Sequence, residues 1–295
     1  MNVQPTAIII NPVSGGFAPN AARARAELAQ TIADQQRRPV EIFVTEAIGH
    51  ARDLAASAVR RGAKLVVAWG GDGTINEVAS ALAFGEVPLG IIPAGSGNGL
   101  ARELGVDLQP QRALANALGA TPRAMDVGDV EGRLFVNIAG IGVDAFVASR
   151  FSLARRRGFL GYINITARAL ATYVPTTYRM TTGSGVITAR ALLVTIANSA
   201  QFGNGAKIAP GARVDDGLLD LVIIEERWRV ATIVQLPRLF TGTADRIRGC
   251  TTQRIQEVTI EADEPMTYHV DGEPIVGGTR LVARVHPGAL RVAVR

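Results

Sequence analysis

The chain has almost no lysine and almost no cysteine. Only Lys64 and Lys207 are lysines among 31 basic residues, Cys250 is the single cysteine, and the histidines are His50, His269 and His286. One cysteine excludes an internal disulfide framework and a cysteine-built zinc site, and three histidines leave little for a histidine-built one. Any metal is therefore expected to be a hard, oxygen-bound ion such as magnesium. No apolar run approaches the about 18 residues that cross a bilayer. The start, MNVQPTAIIINP, has neither the basic flank nor the cleavage site of a signal peptide, so the expectation is a soluble, cytoplasmic protein. Arginine-rich blocks interleaved with aromatics are also missing. A net charge of +5 is a mild bias toward anionic partners, and no nucleic acid is expected among them.

What is present is ample apolar material, 47% of 295 residues, in two different patterns. Up to about residue 120, strand-like runs (TAIIINP, VEIFVTE, KLVVAW, PLGIIP) alternate with helix-like ones (NAARARAELAQTIADQQ, GHARDLAASAVRRG, INEVASALAF). Short unbroken β-branched runs in that alternation predict a parallel sheet covered on both faces, with ligands at the carboxyl ends of its strands. After about Ala124, segments such as RLFVNIAGIGV, VITARALLVTIANS, GLLDLVIIE and MTYHVDG are separated by turns, which predicts antiparallel β structure. Two stretches there, GYINITARALATYV and RVATIVQLPRLFTG, read as helical. The expected fold class is α/β: an N-terminal parallel-sheet, three-layer domain over 1–123, and a second antiparallel β-rich sandwich domain over 124–285. The strand in 286–295 is free to return to the first domain, and the active site is expected in the cleft between the two.

Three glycine-rich loops follow predicted strands: NPVSGG (Asn11 to Gly16), GGDGT (Gly70 to Thr74) and PAGSGNG (Pro93 to Gly99). At successive strand ends they imply one shared anionic ligand, approached by backbone N–H groups. It is not held by a Walker A loop, because neither lysine follows a glycine, nor by a G-x-G-x-x-G fingerprint, because Leu100 stands at its last position. Thr74 and Glu77 form a T-x-x-E capping box, which predicts a helix start behind the glycines and an anion site at its N-terminus. Asp72 reads either as a turn residue or as a carboxylate that tolerates phosphates through Mg²⁺.

In YHVDGEPI, Asp271 and Glu273 flank a glycine. That is an ordinary hairpin turn, or a pair of acids serving phosphoryl transfer. Asp215, Asp216 and Asp220 cluster in VDDGLLDL, as an Asp-Gly turn or a hard-metal site.

These motifs, in this order and over nearly the whole chain, resemble the diacylglycerol kinase catalytic domain family, specifically bacterial lipid kinases akin to sphingosine and ceramide kinases. The resemblance implies an NAD kinase/diacylglycerol kinase-like fold and an ATP-dependent, Mg²⁺-requiring lipid kinase. ATP would be held by Asn11 with Ser14 and Gly15, by Thr45, by Gly70, Gly71, Asp72, Gly73, Thr74, Asn76 and Glu77, and by Gly95, Ser96, Gly97 and Asn98. Asp271 would be the general base, Glu273 would sit beside it, and Asp72 would organise Mg²⁺-ATP. In the sphingosine kinase branch the aspartate matching Asp72 is cast as the base. A structural magnesium is implied at Val214, Asp215 and Asp216, with Gly211 standing where the family often has an aspartate.

The acceptor would be a lipid hydroxyl of diacylglycerol, sphingosine or phosphatidylglycerol type. Arg155, Arg156 and Arg157 among apolar residues suit peripheral contact with an anionic membrane, or form a solvated loop. A homodimer through an exposed strand edge is a further expectation. The rivals are an NAD kinase-like enzyme, against which VPTTY stands as a poor match to the expected TPTGSTAY-like segment, and a non-catalytic nucleotide-binding regulator. Retention of Asp72, Asp271 and Glu273 favours an active enzyme.

Overall fold

A computed structural model describes residues 5–16, 20–152, 169, 172–226 and 235–294. The chain divides into one unit of Met1–Met125 with Gly288–Arg295 and a second of Asp126–Pro287.

The first unit is built on four parallel strands, β1 (Thr6–Ile10), β2 (Val40–Val44), β3 (Leu65–Gly70) and β4 (Leu89–Pro93), in the order β2-β1-β3-β4. Its helices are α1 (Ala21–Gln35), α2 (His50–Arg60), α3 (Asp72–Leu82), α4 (Gly99–Glu103) and α5 (Pro110–Gly119). Side chains alternate across each strand, so Ile8, Ile10, Val67, Trp69 and Ile92 meet Ala29 and Ile32 of α1 and Leu114 and Leu118 of α5. Helices α2 and α3 pack against β1 and β3 through Ala51, Ala55, Ile75, Val78 and Leu82, all buried. Both faces are therefore covered, and each fully buried aliphatic side chain contributes about 1.5–3 kcal/mol. Helix α5 went unread in the sequence; Pro110 at its first turn is its one clear start signal.

The second unit contains β5 (Arg123–Val130), β6 (Arg133–Phe135), β7 (Ile138–Gly142), α6 (Val143–Ser152), β8 (Thr176–Thr182), β9 (Gly185–Ala197), β10 (Gln201–Gly203), β11 (Ala206–Lys207) and β12 (Leu219–Glu225). Then follow β13 (Cys250–Ile255), β14 (Glu257–Glu261), β15 (Thr267–Val270), β16 (Glu273–Val276) and β17 (Arg280–Val292). Pairing is antiparallel along β16-β15-β7-β9-β8-β14-β17, with β12 and β13 added beside β9. Phe135, Tyr178, Met180, Val194, Leu221, Val258 and Tyr268 fill its core. Strand β17 serves each unit in turn: Arg280–Arg284 pair with β14, and Val292 pairs in parallel with Leu89.

The stretch expected to be helical at 161–174 and the Arg155–Arg157 cluster lie almost wholly outside the described residues. Of the stretch expected to be helical at 229–242, residues 229–234 lie outside the described residues; Gln235 is α-helical and a 3₁₀ turn, Leu236–Leu239, follows it. Among the described residues no helix is long and apolar enough to cross a membrane.

Candidate active site

The three glycine loops of the first unit are stitched to one another. Asn11 donates from Nδ2 to Thr74 Oγ1 at 2.8 Å, and Ser14 Oγ accepts the Gly71 N–H at 3.1 Å. Asp72 Oδ1 accepts the Gly99 N–H at 2.7 Å, and Asn98 Oδ1 accepts the Gly95 N–H at 2.8 Å. Arg25 donates to the carbonyls of Asn11 and Ser14 at 2.5 and 2.8 Å, an anchor that its sequence position on α1 did not signal. Losing solvent lowers the pKa of that guanidinium from its usual value.

Two of the loop glycines are also required by packing. A Cβ on Gly95 would lie 2.7 Å from Gly71 Cα, and one on Gly70 would lie 2.5 Å from Thr74 Cβ. Gly95 lets the third loop meet the second, and Gly70 makes room for Thr74 of its own loop. Gly73 differs: nothing stands within 4 Å of its would-be Cβ, and it is exposed.

The capping box at Thr74 and Glu77 is not formed. Helix α3 begins two residues earlier, at Asp72, with Gly71 as an N-cap that has no side-chain cap. Thr74 is turned inward to Asn11, and Glu77 reaches the start of α2, accepting the N–H of Gly49 at 2.9 Å and of Ala51 at 3.0 Å. The T-x-x-E spacing marked a real helix start, but β3 delivers the chain directly into the helix at the glycine pair. The consequence is a helix N-terminus, whose amides and dipole favour an anion, next to open space at Gly73 and the carboxylate of Asp72. Those features fit a polyphosphate with its magnesium. Thr45 is buried and donates its N–H to Ile10 O; Asn76 accepts from Ser80 at 3.5 Å; Ser96 is exposed, and Gly97 O accepts from Arg102.

In the second unit Asp271 and Gly272 form the two-residue turn of the β15–β16 hairpin, with φ of 47° and 87° as a type I′ turn requires. The turn reading of VDGE is therefore correct for the backbone. The Asp271 side chain does something else: Oδ2 accepts the Val136 N–H at 2.9 Å, and Oδ1 accepts those of Asn137 and Ile138 at 2.9 and 3.0 Å. A carboxylate receiving three backbone donors is fixed in orientation and stabilised as the anion. Glu273 follows on β16 and is exposed.

The Val214–Asp216 segment is tied into its own surroundings. Val214 O is taken by the Asp126 N–H at 2.7 Å, Asp215 is held by Arg213 at 3.3 Å, and Asp216 Oδ1 accepts from Leu218 N of its own turn. Asp126, unreadable in the sequence, closes this loop by accepting the Gly217 N–H at 2.7 Å. Among the described residues no group of three or more His, Cys, Asp or Glu converges as a metal site. Asp220 is apart from that loop. It is 5% exposed and lines a cavity of about 360 Å³ with Arg254, Arg246, Asp245 and Thr252. Burial raises its carboxyl pKa, Arg254 opposing and Asp216 adding.

Comparison with known proteins is consistent along the chain. Residues 5–130 match the diacylglycerol kinase catalytic domain, and residues 137–294 match the YegS C-terminal NAD kinase beta sandwich-like domain. A Pseudomonas aeruginosa protein described as a probable lipid kinase YegS-like is 34% identical over 267 residues, covering 86% of this chain and 84% of its own. A Mycobacterium tuberculosis diacylglycerol kinase is 31% identical over 278 residues, covering 90% and 87%. The crystal structure of a diacylglycerol kinase from Bacillus anthracis shares the fold, with a TM-score of 0.75 and 19% identity over 100% of this chain and 98% of that one.

Proposed function

The chain belongs to the diacylglycerol kinase catalytic domain family and is a kinase, and from that premise we propose that it transfers the γ-phosphate of ATP to a hydroxyl of a lipid acceptor. The observation that carries this reading is the N-terminus of α3, without a side-chain cap, beside the unobstructed Gly73, with Asp72 as its first helical residue. Backbone donors of that turn would hold phosphate oxygens where no lysine is present. Magnesium, when bound with the nucleotide, would neutralise charge on the transferring group, and Asp72 would be the carboxylate that organises it.

Asp271 is assigned as the base. The acceptor oxygen forms a bond to the γ-phosphorus, the bond from that phosphorus to the bridging oxygen breaks, ADP leaves, and the hydroxyl proton passes to Asp271. Three N–H donors hold this carboxylate in one orientation. In a loose phosphoryl-transfer transition state the acceptor proton is removed late, so orientation of the hydroxyl matters more than basicity. The lipid would be reached at the surface of an anionic membrane.

The test is purified protein with labelled ATP, Mg²⁺ and a panel of diacylglycerol, monoacylglycerol, sphingosine, ceramide and phosphatidylglycerol. A labelled lipid that disappears with Asp271→Asn supports the assignment. Labelling of NAD in place of every lipid overturns it.

A further inference from the structure

Behind the Asp271 turn lies a buried polar chain that the proposed chemistry does not use. His269, on β15, is 3% exposed; Asp144, in the first turn of α6, is 8% exposed; Thr195, on β9, is fully buried. The Gly272 N–H donates to His269 Nδ1 at 3.2 Å, and the other ring nitrogen, Nε2, lies 3.4 Å from Asp144 Oδ2. Asp144 is itself held: Thr195 Oγ1 donates to Oδ2 at 3.2 Å, and the Ala145 N–H donates to Oδ1 at 2.8 Å. The meeting place exists because residue 140 is glycine. Gly140 pairs directly with His269 across β7 and β15, and a Cβ there would stand 2.0 Å from Asp144 Oδ2 and 2.8 Å from His269 Nε2.

The chemistry of the ring fixes its tautomer. Nδ1 receives a proton donor and so carries no hydrogen, which leaves the hydrogen of the neutral imidazole on Nε2, the nitrogen beside the Asp144 carboxylate. Both ring nitrogens are thereby committed, and the imidazole cannot turn over without breaking two contacts. Its contact on the functional side is the amide of Gly272, the residue that follows Asp271 in the turn. The Asp271 side chain is gripped from in front by the amides of 136–138, and its backbone is gripped from behind by His269.

We infer that His269 and Asp144 are positioning residues for the acceptor-side chemistry, setting the Asp271 turn through the Gly272 amide. The inference rests on the assignment of Asp271 as the base. A shift of the turn by a fraction of an ångström would move the carboxylate relative to the acceptor hydroxyl, and misplacement of about 1 Å costs roughly 10²-fold in rate. Nucleotide binding in the other unit would not feel it.

The experiment compares His269→Leu with His269→Asn. Asparagine can place its carbonyl oxygen where Nδ1 stands, whereas leucine fills the space without an acceptor. Expected is a fall in kcat of roughly 10²-fold for leucine, recovery of most of it with asparagine, and an unchanged KM for ATP in both. Equal kcat in the two variants, whether both impaired or both at the wild-type value, overturns the inference. ¹⁵N NMR of the wild-type ring is read independently of turnover. The Nε2–H tautomer, lost or weakened in Asp144→Asn, is expected, and an Nδ1–H tautomer overturns the inference. If the wild-type protein labels no lipid, the functional assignment fails by itself while the NMR result still decides whether this chain of contacts exists.

Discussion

In the first unit side chains fasten backbone; in the second, backbone fastens a side chain. Ser14 and Asp72 each accept an amide of a neighbouring loop, Asn98 accepts one within its own, and Asn11 ties to Thr74, so the loops keep their shape around the N-terminus of α3. Around Asp271 the arrangement is reversed: three consecutive amides converge on one carboxylate. The difference follows from what each must present. Phosphates are anions and are met by N–H groups, which belong to the main chain. An acceptor hydroxyl needs an oriented carboxylate, which only a side chain supplies.

The largest way to break this contrast is at Asp271. Asp271→Ala removes the carboxylate and strands the amides of 136–138, so the expected result is a loss of roughly 10²–10⁴-fold in turnover together with about 1–3 kcal/mol of stability. Asp271→Asn, which keeps one acceptor oxygen, should lose as much activity but less stability. Turnover and denaturation of the two variants check this. An alanine variant with wild-type turnover would remove Asp271 from the chemistry.

Next in size are two glycines that look alike in the sequence. Gly95→Ala forces a Cβ to within 2.7 Å of backbone at Gly71, where nothing flexible can yield, and overpacking of this kind costs about 1–3 kcal/mol. Gly73→Ala meets open space, so stability should hold or rise by up to about 1 kcal/mol from better helix propensity. Its effect should fall on ATP instead, as a raised KM. Thermal melts with ATP titrations separate them, and identical behaviour of the two would erase the distinction between a loop-packing glycine and a ligand-facing one.

That pair shows how far the sequence could be read. The alternation of TAIII, VEIFV, LVVAWG and LGIIP with amphipathic runs made the parallel sheet legible, because each strand's burial is written in its own residues. The positions of the three loops followed from the strands. Their internal wiring did not, since Ser14 to Gly71 spans 57 residues and Asp271 to Val136 spans 135, and no local pattern records a partner so distant. Glu77 shows the same limit. Its spacing from Thr74 satisfied a local rule, and a helix 26 residues earlier in the chain claimed the side chain.

Glu77 therefore gives a smaller, sharper test of the side-chain-to-backbone rule. Glu77→Ala should uncap α2 and lower stability by about 0.5–2 kcal/mol, with the KM for ATP little changed. A large rise in that KM without any loss of stability would make Glu77 a nucleotide contact instead.

The smallest expected effect concerns a carboxylate that neither arrangement serves. Asp271 has three amide donors; the carboxylate of Asp220, which is 5% exposed, has no hydrogen-bond partner among the described residues, and Arg254 opposite it on β13 only partly offsets its burial. Its pKa is raised in the folded protein, so the folded state keeps a proton that the unfolded chain has already lost. Stability then falls as pH climbs from the ordinary aspartate value through the raised one, and above that window the charged Asp220 remains a cost. Asp220→Asn removes the titration while keeping the shape. The variant's melting temperature should exceed that of the wild type at neutral pH, and the gap should shrink as the pH is lowered through the window. A gap that does not change with pH would mean that the carboxylate is compensated after all, by a partner as effective as the amides that hold Asp271.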